Sequence, residues 1–266
     1  MEIGINSKMK FSKYQGTGND FIVITDSGCH LHSSQIRRLC DRRYGIGGDG
    51  LILIKQSDET DACIEIFNAD GNSADMCGNG LRCVVQYLLD HGLEKKGFTL
   101  TVGDKSYSAT VDEGEIVIDM GVPKILEEGT MSELPYYHID SGVPHFVHFC
   151  DELNRDDFIQ IAQDLRHHQH FSPSGVNVNF VKLLPSCLLQ VRTYERGVED
   201  ETLSCGTGAT AACVAAWRKY GIKGKIEVEF CSRERLRFDL LATDSLLHGI
   251  YMRGHAMHVF EGELEL

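Results

Sequence analysis

The sequence predicts an α+β protein built from two similar halves, and three observations carry that prediction. Apolar runs of strand length outnumber helical patterns in both halves. The tetrapeptide Cys-Gly-x-Gly stands at 77–80 and again at 205–208, each time at the mouth of a helical pattern with strands around it. Regular alternation of strand and helix, the mark of a parallel nucleotide-binding sheet, is missing. With 266 residues, 42% hydrophobic and 24% charged, the chain can pack two modest domains without disulfides or structural metal.

Taken in order, Gly16-Thr17-Gly18-Asn19-Asp20 is a glycine-rich turn and the apolar run 21–24 after it reads as a strand. Ser33 or Ser34 can cap a short helix through Leu39, and 51–54 and 63–67 read as strands. Leu81, Val84, Val85, Leu88 and Leu89 share one helical face, and Gly92 stops that helix. A meander at 98–102, 107–111 and 116–119 ends at Pro123, which marks the crossing into the second half. There the strands fall at 146–149, 177–183 and 189–194. An alanine-rich helix follows Cys205 and runs to Tyr220, with Gly221 at its end. The last strands are 225–231, 236–240, 247–252 and 255–260.

The formal net charge is -13 and no Lys/Arg cluster is long enough to track phosphates, which argues against nucleic acid and anionic membrane as partners. No run of about 18 apolar residues could span a bilayer. Ten scattered cysteines without a secretory leader suit a reducing cytoplasm, and the expected partner is a small molecule. Met9 could be the natural start, leaving a frayed extension before it.

The two repeated turns point to one chemistry. Removing the α-proton of an amino acid leaves a carbanion, so epimerisation needs a base on one face and an acid on the other. A thiol suits both roles, and a helix N-terminus favours its thiolate. Glycines beside Cys77 and Cys205 would let the backbone approach a substrate, and the first-turn N–H groups could hold its carboxylate. The substrate is expected in the cleft between the halves.

Five stretches, 11–21, 44–53, 67–82, 142–147 and 191–211, resemble those of the diaminopimelate epimerase family and together reach from end to end of the chain. The resemblance implies two similar domains, each a curved mixed sheet wrapped around a central helix, divided as 1–119 with 255–266 returning to it, and 120–254. It implies Cys77 and Cys205 as acid and base, with His145 and Glu195 tuning them. The implied substrate contacts are Asn19, Asn68, Asn177, Glu195 and Arg196, with the backbone of Gly78, Asn79, Gly206 and Thr207 on the reacting carboxylate. The implied reaction interconverts L,L- and meso-2,6-diaminopimelate for lysine and peptidoglycan precursors, without pyridoxal phosphate or metal, in a homodimer joined through the C-terminal strand.

Three positions depart from the family pattern: Gly50 in place of Gln, Val143 in place of Asn, and Phe260 in place of a Tyr at the dimer contact. Val143 lacks a side-chain hydrogen bond where the distal end of the substrate should be read, so slow racemisation of a shorter acidic amino acid such as glutamate is expected.

Other readings compete. Cys29, Cys40, Cys63, Cys83, Cys150, Cys187, Cys213 and Cys231 are read as small packed residues. His167, His168 and His170 lack the ligand spacing of a metal site and read as a solvated patch. Glu195-Arg196 could be a surface ion pair, and Asn19, Asn68 and Asn177 could serve turn geometry. The run 45–50 matches a dinucleotide fingerprint but precedes a strand; 206–211 matches a looser form and opens a helix, which keeps a nucleotide-binding protein in view. Another two-thiol racemase, of the proline or hydroxyproline type, is the nearest enzymatic rival, and Asn79 counts against it because a His is expected there. A non-enzymatic binding protein is the rival from another class.

Overall fold

The computed structural model describes residues 8–25, 31–74 and 76–265. Residues 1–7, read above as part of a frayed extension, and Cys29 lie outside them. In the first half the elements are β1 (Lys8–Gly16), β2 (Asn19–Thr25), α1 (Ser33–Cys40), β3 (Gly50–Lys55), β4 (Ala62–Asn68), β5 (Ser73–Ala74), α2 (Gly78–Asp90), β6 (Gly97–Val102), β7 (Lys105–Asp112), β8 (Glu115–Asp119) and β9 (Lys124–Met131). The second half contains β10 (Leu134–Asp140), β11 (Pro144–Phe149), α3 (Phe158–Arg166), β12 (Asn177–Leu184), β13 (Leu188–Glu195), β14 (Asp200–Thr202), α4 (Gly206–Tyr220), β15 (Gly224–Phe230), β16 (Arg235–Ala242), β17 (Leu247–Gly254) and β18 (Met257–Glu265).

The ladders repeat. In the first half β1 pairs antiparallel with β2, β2 parallel with β3, β3 antiparallel with β4, β4 parallel with β6, and β6, β7 and β8 continue antiparallel. From β10 to β17 the same series runs through β11, β12, β13, β15 and β16 with the same directions at each step. The halves join where β8 pairs antiparallel with β17, from Asp119 opposite Tyr251 to Ile116 opposite Gly254. The ninth strand of each half crosses over: β9 pairs with β10, and β18 pairs with β1.

Each curved sheet closes around one helix. Leu81, Cys83, Val84 and Val85 of α2 are fully buried, and so are Ala209, Ala211, Ala212, Cys213, Val214, Ala215 and Ala216 of α4. Small side chains on α4 let strands approach it from all sides, which explains an apolar helix without a polar face. Gly221 caps α4 in the left-handed conformation (φ 70°) as its position suggested. The α+β architecture of two similar halves around central helices is as the sequence predicted, with the two curved mixed portions joined into one continuous sheet.

Details differ. His32, not a serine, is the N-cap of α1, where the Gln35 side chain accepts from its N–H at 2.9 Å. Lys8 and Met9 begin β1, and Met9 is buried. The strands β9 and β10 and the helix α3 carry no element in the sequence reading. Cys231 is exposed, against its reading as a packed thiol, while Cys40, Cys83 and Cys213 are buried and Cys63, Cys150 and Cys187 half-buried.

Candidate active site

Cys77 and Cys205 are the N-caps of α2 and α4 in nearly the same backbone conformation (φ −143°, ψ 106° and φ −132°, ψ 108°). The Gly80 N–H donates to Cys77 Sγ at 3.4 Å, and Cys205 Sγ lies 3.4 Å from Thr207 Oγ1. Met252, fully buried, sits against both helix starts: a Cβ on Gly78 would stand 2.7 Å from its Cε, and one on Gly206 3.0 Å from its Sδ. Glycine at both positions is what lets the two turns converge on one strand.

A cavity of about 750 Å³ opens between the halves. Of the residues singled out in the sequence, Asn19, Asn68, Cys77, Asn177, Glu195, Arg196 and Thr207 line it. Gly78, Asn79, His145, Cys205 and Gly206 are buried and are not among the lining residues. Val143 is in the wall, and Gly50 is not.

The side chains around the cavity are held by groups that the sequence did not single out. Asp49 Oδ2 accepts from Asn19 Nδ2 at 2.8 Å, which turns Asn19 Oδ1 toward Cys77 Sγ (3.8 Å) and Asn79 Nδ2 (3.4 Å). Asp49 is held in turn by Arg42 (2.8 Å), which also forks onto Asp20, and buried Lys13 pairs with Asp20 at 2.8 Å. Asn177 accepts the Arg196 backbone N–H at 2.8 Å and donates to Pro144 O at 3.2 Å, so it fixes where Arg196 leaves its strand. Glu195 accepts from Thr202 Oγ1 at 2.9 Å, not from its neighbour Arg196.

His145 has no solvent exposure. Asn179 Nδ2 lies 3.0 Å from His145 Nδ1 and donates to Phe146 O at 3.1 Å, while Thr193 Oγ1 donates to Asn179 Oδ1 at 3.0 Å. The carbonyl and the hydroxyl fix the amide orientation, so Nδ1 accepts and Nε2 carries the proton. That Nε2 is buried without a partner among the described residues.

Burial dominates the electrostatics. It pushes the Cys77 thiol up to about 11, with the Gly80 N–H pulling down and the Glu195 charge pushing up. Burial likewise raises Cys205 well above its ordinary value, and Glu195 adds to the rise. The sequence expectation of lowered thiols at helix N-termini is therefore reversed: desolvation outweighs the helix ends. Burial also raises Glu195 to about 7 and lowers His145 to about 3, the latter helped by the Arg196 charge. Glu195 thus titrates near neutrality beside a protonated thiol, and His145 stays neutral.

Among the described residues no group of three or more His, Cys, Asp or Glu could hold a metal ion. His167 and His170 pair instead with Glu199 and Glu127 at the surface. The signal for Asp49 lay in the glycine-rich run at 45–50, read only as a rejected nucleotide motif. Asn79 appeared as a backbone contact, but its side chain also reaches Ser204 in the other half.

Comparison with known proteins places this geometry. The family model described as diaminopimelate epimerase matches residues 11–126 and 137–259. The chain is 39% identical to the diaminopimelate epimerase of Flavobacterium psychrophilum over 268 residues, covering 95% of this chain and 99% of that one. It is 38% identical to the diaminopimelate epimerase of Aquifex aeolicus, covering 96% and 98%. Among solved structures, a PhzF-family phenazine biosynthesis protein of Bacillus anthracis superposes with a TM-score of 0.74 at 16% identity, covering 98% and 100%. A hydroxyproline epimerase of Agrobacterium vitis also gives 0.74, at 14% identity, covering 97% and 93%. These structural likenesses carry the fold alone, while the sequence matches run nearly the full length of both partners and include both cysteine turns. The chain belongs to the diaminopimelate epimerase family.

Proposed function

We propose that the chain is an isomerase that interconverts L,L- and meso-2,6-diaminopimelate by moving one α-proton between Cys77 and Cys205. The observation that carries the reading is the pair of N-capping cysteines, alike in backbone conformation, at two helix starts that converge beside one cavity. One thiolate takes the α-proton and the opposite thiol returns a proton to the other face, so the pair ends with its protonation exchanged. The N–H groups of Gly78, Asn79, Gly206 and Thr207 hold the reacting carboxylate as its charge grows. Both thiols are raised by burial, so the α-ammonium of the substrate, a cation brought into the cavity, is what favours ionisation there. Glu195 and His145 tune the two thiols, Arg196 and Asn68 meet the charged groups of the substrate, and Asn19 and Asn177 complete the contact set. The acid, the base and the carboxylate clamp of this reading are all supplied by the chain itself.

The same reading divides the chain into 1–119 with 255–266, and 120–254, a division supported by the pairing of β9 with β10 and of β18 with β1. Met257, Val259 and Phe260 on β18 are exposed apolar side chains, which supports a homodimer through that strand. Among the described residues no helix is long and apolar enough to cross a membrane. A cytoplasmic location fits thiols that must stay reduced.

The reading is tested by incubating L,L-diaminopimelate in deuterated water with reduced protein and following chiral chromatography and mass. Deuterated meso product, lost in Cys77→Ala and in Cys205→Ala, is the expected result. Absence of exchange in the wild type, with exchange on proline or hydroxyproline, would move the activity to the rival racemases. Silence on a whole panel of amino acids would favour a binding protein.

A further inference from the structure

Arg82 is the largest side chain without solvent exposure (0%), and among the described residues no carboxylate pairs with it. It lies on α2, five positions after Cys77. Buried guanidinium groups ordinarily need a carboxylate to offset desolvation. Here three neutral acceptors take its N–H groups: Thr17 Oγ1 at 2.6 Å, His255 O at 3.3 Å and Met252 Sδ at 3.4 Å. Space is kept for it by glycines, since a Cβ on Gly16 would stand 3.0 Å from Nη2 and one on Gly254 3.3 Å from Nε. Burial lowers its pKa only to about 10, so the group is a cation at neutral pH.

The three acceptors are not scattered. Thr17, with φ 58°, belongs to the turn that carries Asn19; Met252 packs against Gly78 and Gly206; His255 starts the crossing from β17 to β18. We propose that Arg82 is a positioning residue for the epimerisation: its uncompensated charge behind Cys77 favours the Cys77 thiolate, and its fork holds the Asn19 turn against the start of α2. The proposal rests on the reading of Cys77 as one of the two reacting thiols. The nearby Arg82 charge opposes the rise that burial imposes on Cys77, in the required direction.

The experiment measures the rate of Cys77 alkylation by limiting iodoacetamide against pH, by peptide mass spectrometry, in wild type, Arg82→Met and Arg82→Lys, with circular dichroism and turnover alongside. Loss of the charge in Arg82→Met is expected to slow Cys77 alkylation about tenfold at pH 8, the effect of about one pKa unit, while Arg82→Lys keeps the wild-type profile and loses turnover because it cannot fork. A folded Arg82→Met with an unchanged Cys77 profile would overturn the proposal, since packing alone would change melting but not the thiol. Should Arg82→Met fail to fold, Arg82→Lys decides: a wild-type profile supports the charge, and a full-unit rise overturns it. Because alkylation needs no turnover, a wild type that fails to exchange α-protons would sink the epimerase reading separately, with the Arg82 effect still readable.

Discussion

Asn79 on α2 donates through Nδ2 to Ser204 Oγ at 3.0 Å, joining the first helix start to the residue just before Cys205. This is a side-chain bond across the two halves at the level of Cys77 and Cys205, and both partners are buried.

Removing it separates stability from catalysis. Asn79→Ala deletes the hydrogen bond to Ser204, worth about 1 kcal/mol, and the longer one to Asn19, and also a buried Oδ1 without a partner among the described residues, so the loss in a urea titration is expected to be about 1–2 kcal/mol. The turnover number should fall further, by about tenfold, because the spacing of the two turns loosens. A variant with wild-type kcat would show that the ladders alone set that spacing.

Glu195 sets a pH limb. Its folded pKa of about 7 lies above the ordinary 4.5, so its stabilising contribution is complete below about 4.5 and is lost as pH rises through 7. Glu195→Gln is therefore expected to melt higher than wild type at pH 8 and to lack the activity limb near 7. Melting curves and kcat/KM profiles from pH 5 to 9 check both signs.

Gly208 guards the histidine. A Cβ there would stand 2.3 Å from Asn179 Oδ1, and Asn179 is pinned by Thr193 and Phe146. Gly208→Ala should cost about 1–3 kcal/mol by overpacking and disturb the His145 tautomer. Imidazole nitrogen shifts in an NMR spectrum would report the change; unaltered shifts would contradict the network.

Val143 tests selectivity. The wild type is expected to exchange the α-proton of glutamate slowly in deuterated water, and Val143→Asn to lower that rate relative to diaminopimelate by about tenfold. A wild type that leaves glutamate unlabelled ends this idea.

The two cysteine turns were legible because they repeat: two Cys-Gly-x-Gly segments before two helices are hard to explain by packing, and α2 has a clean apolar face. The strands that alternate around apolar cores, such as β4 and β16, were also readable. By contrast β9 has no buried residue and β10 buries only Tyr136 and Ile139, so no period-two apolar pattern marks them. Helix α3 left a usable trace in Phe158, Ala162 and Leu165, one buried residue per turn after Asp157, which was too short to stand out. The direction of the thiol shifts was misjudged because helix position is local and visible, while desolvation comes from residues far along the chain. Asp49 and Asn179 were missed for the same reason: each touches a candidate site residue, Asn19 and His145, through a contact that only the folded chain makes.

The exchange of β9 and β18 and the ladder from β8 to β17 constrain motion. A cleft that narrows around a guest cannot do so as two bodies swinging on a free hinge peptide, because backbone hydrogen bonds run from one half into the other at β8 and β17 and each half also carries the closing strand of its neighbour. Any closure has to twist or bend a continuous sheet, an elastic deformation in which the paired strands resist the change and favour a return to the starting shape.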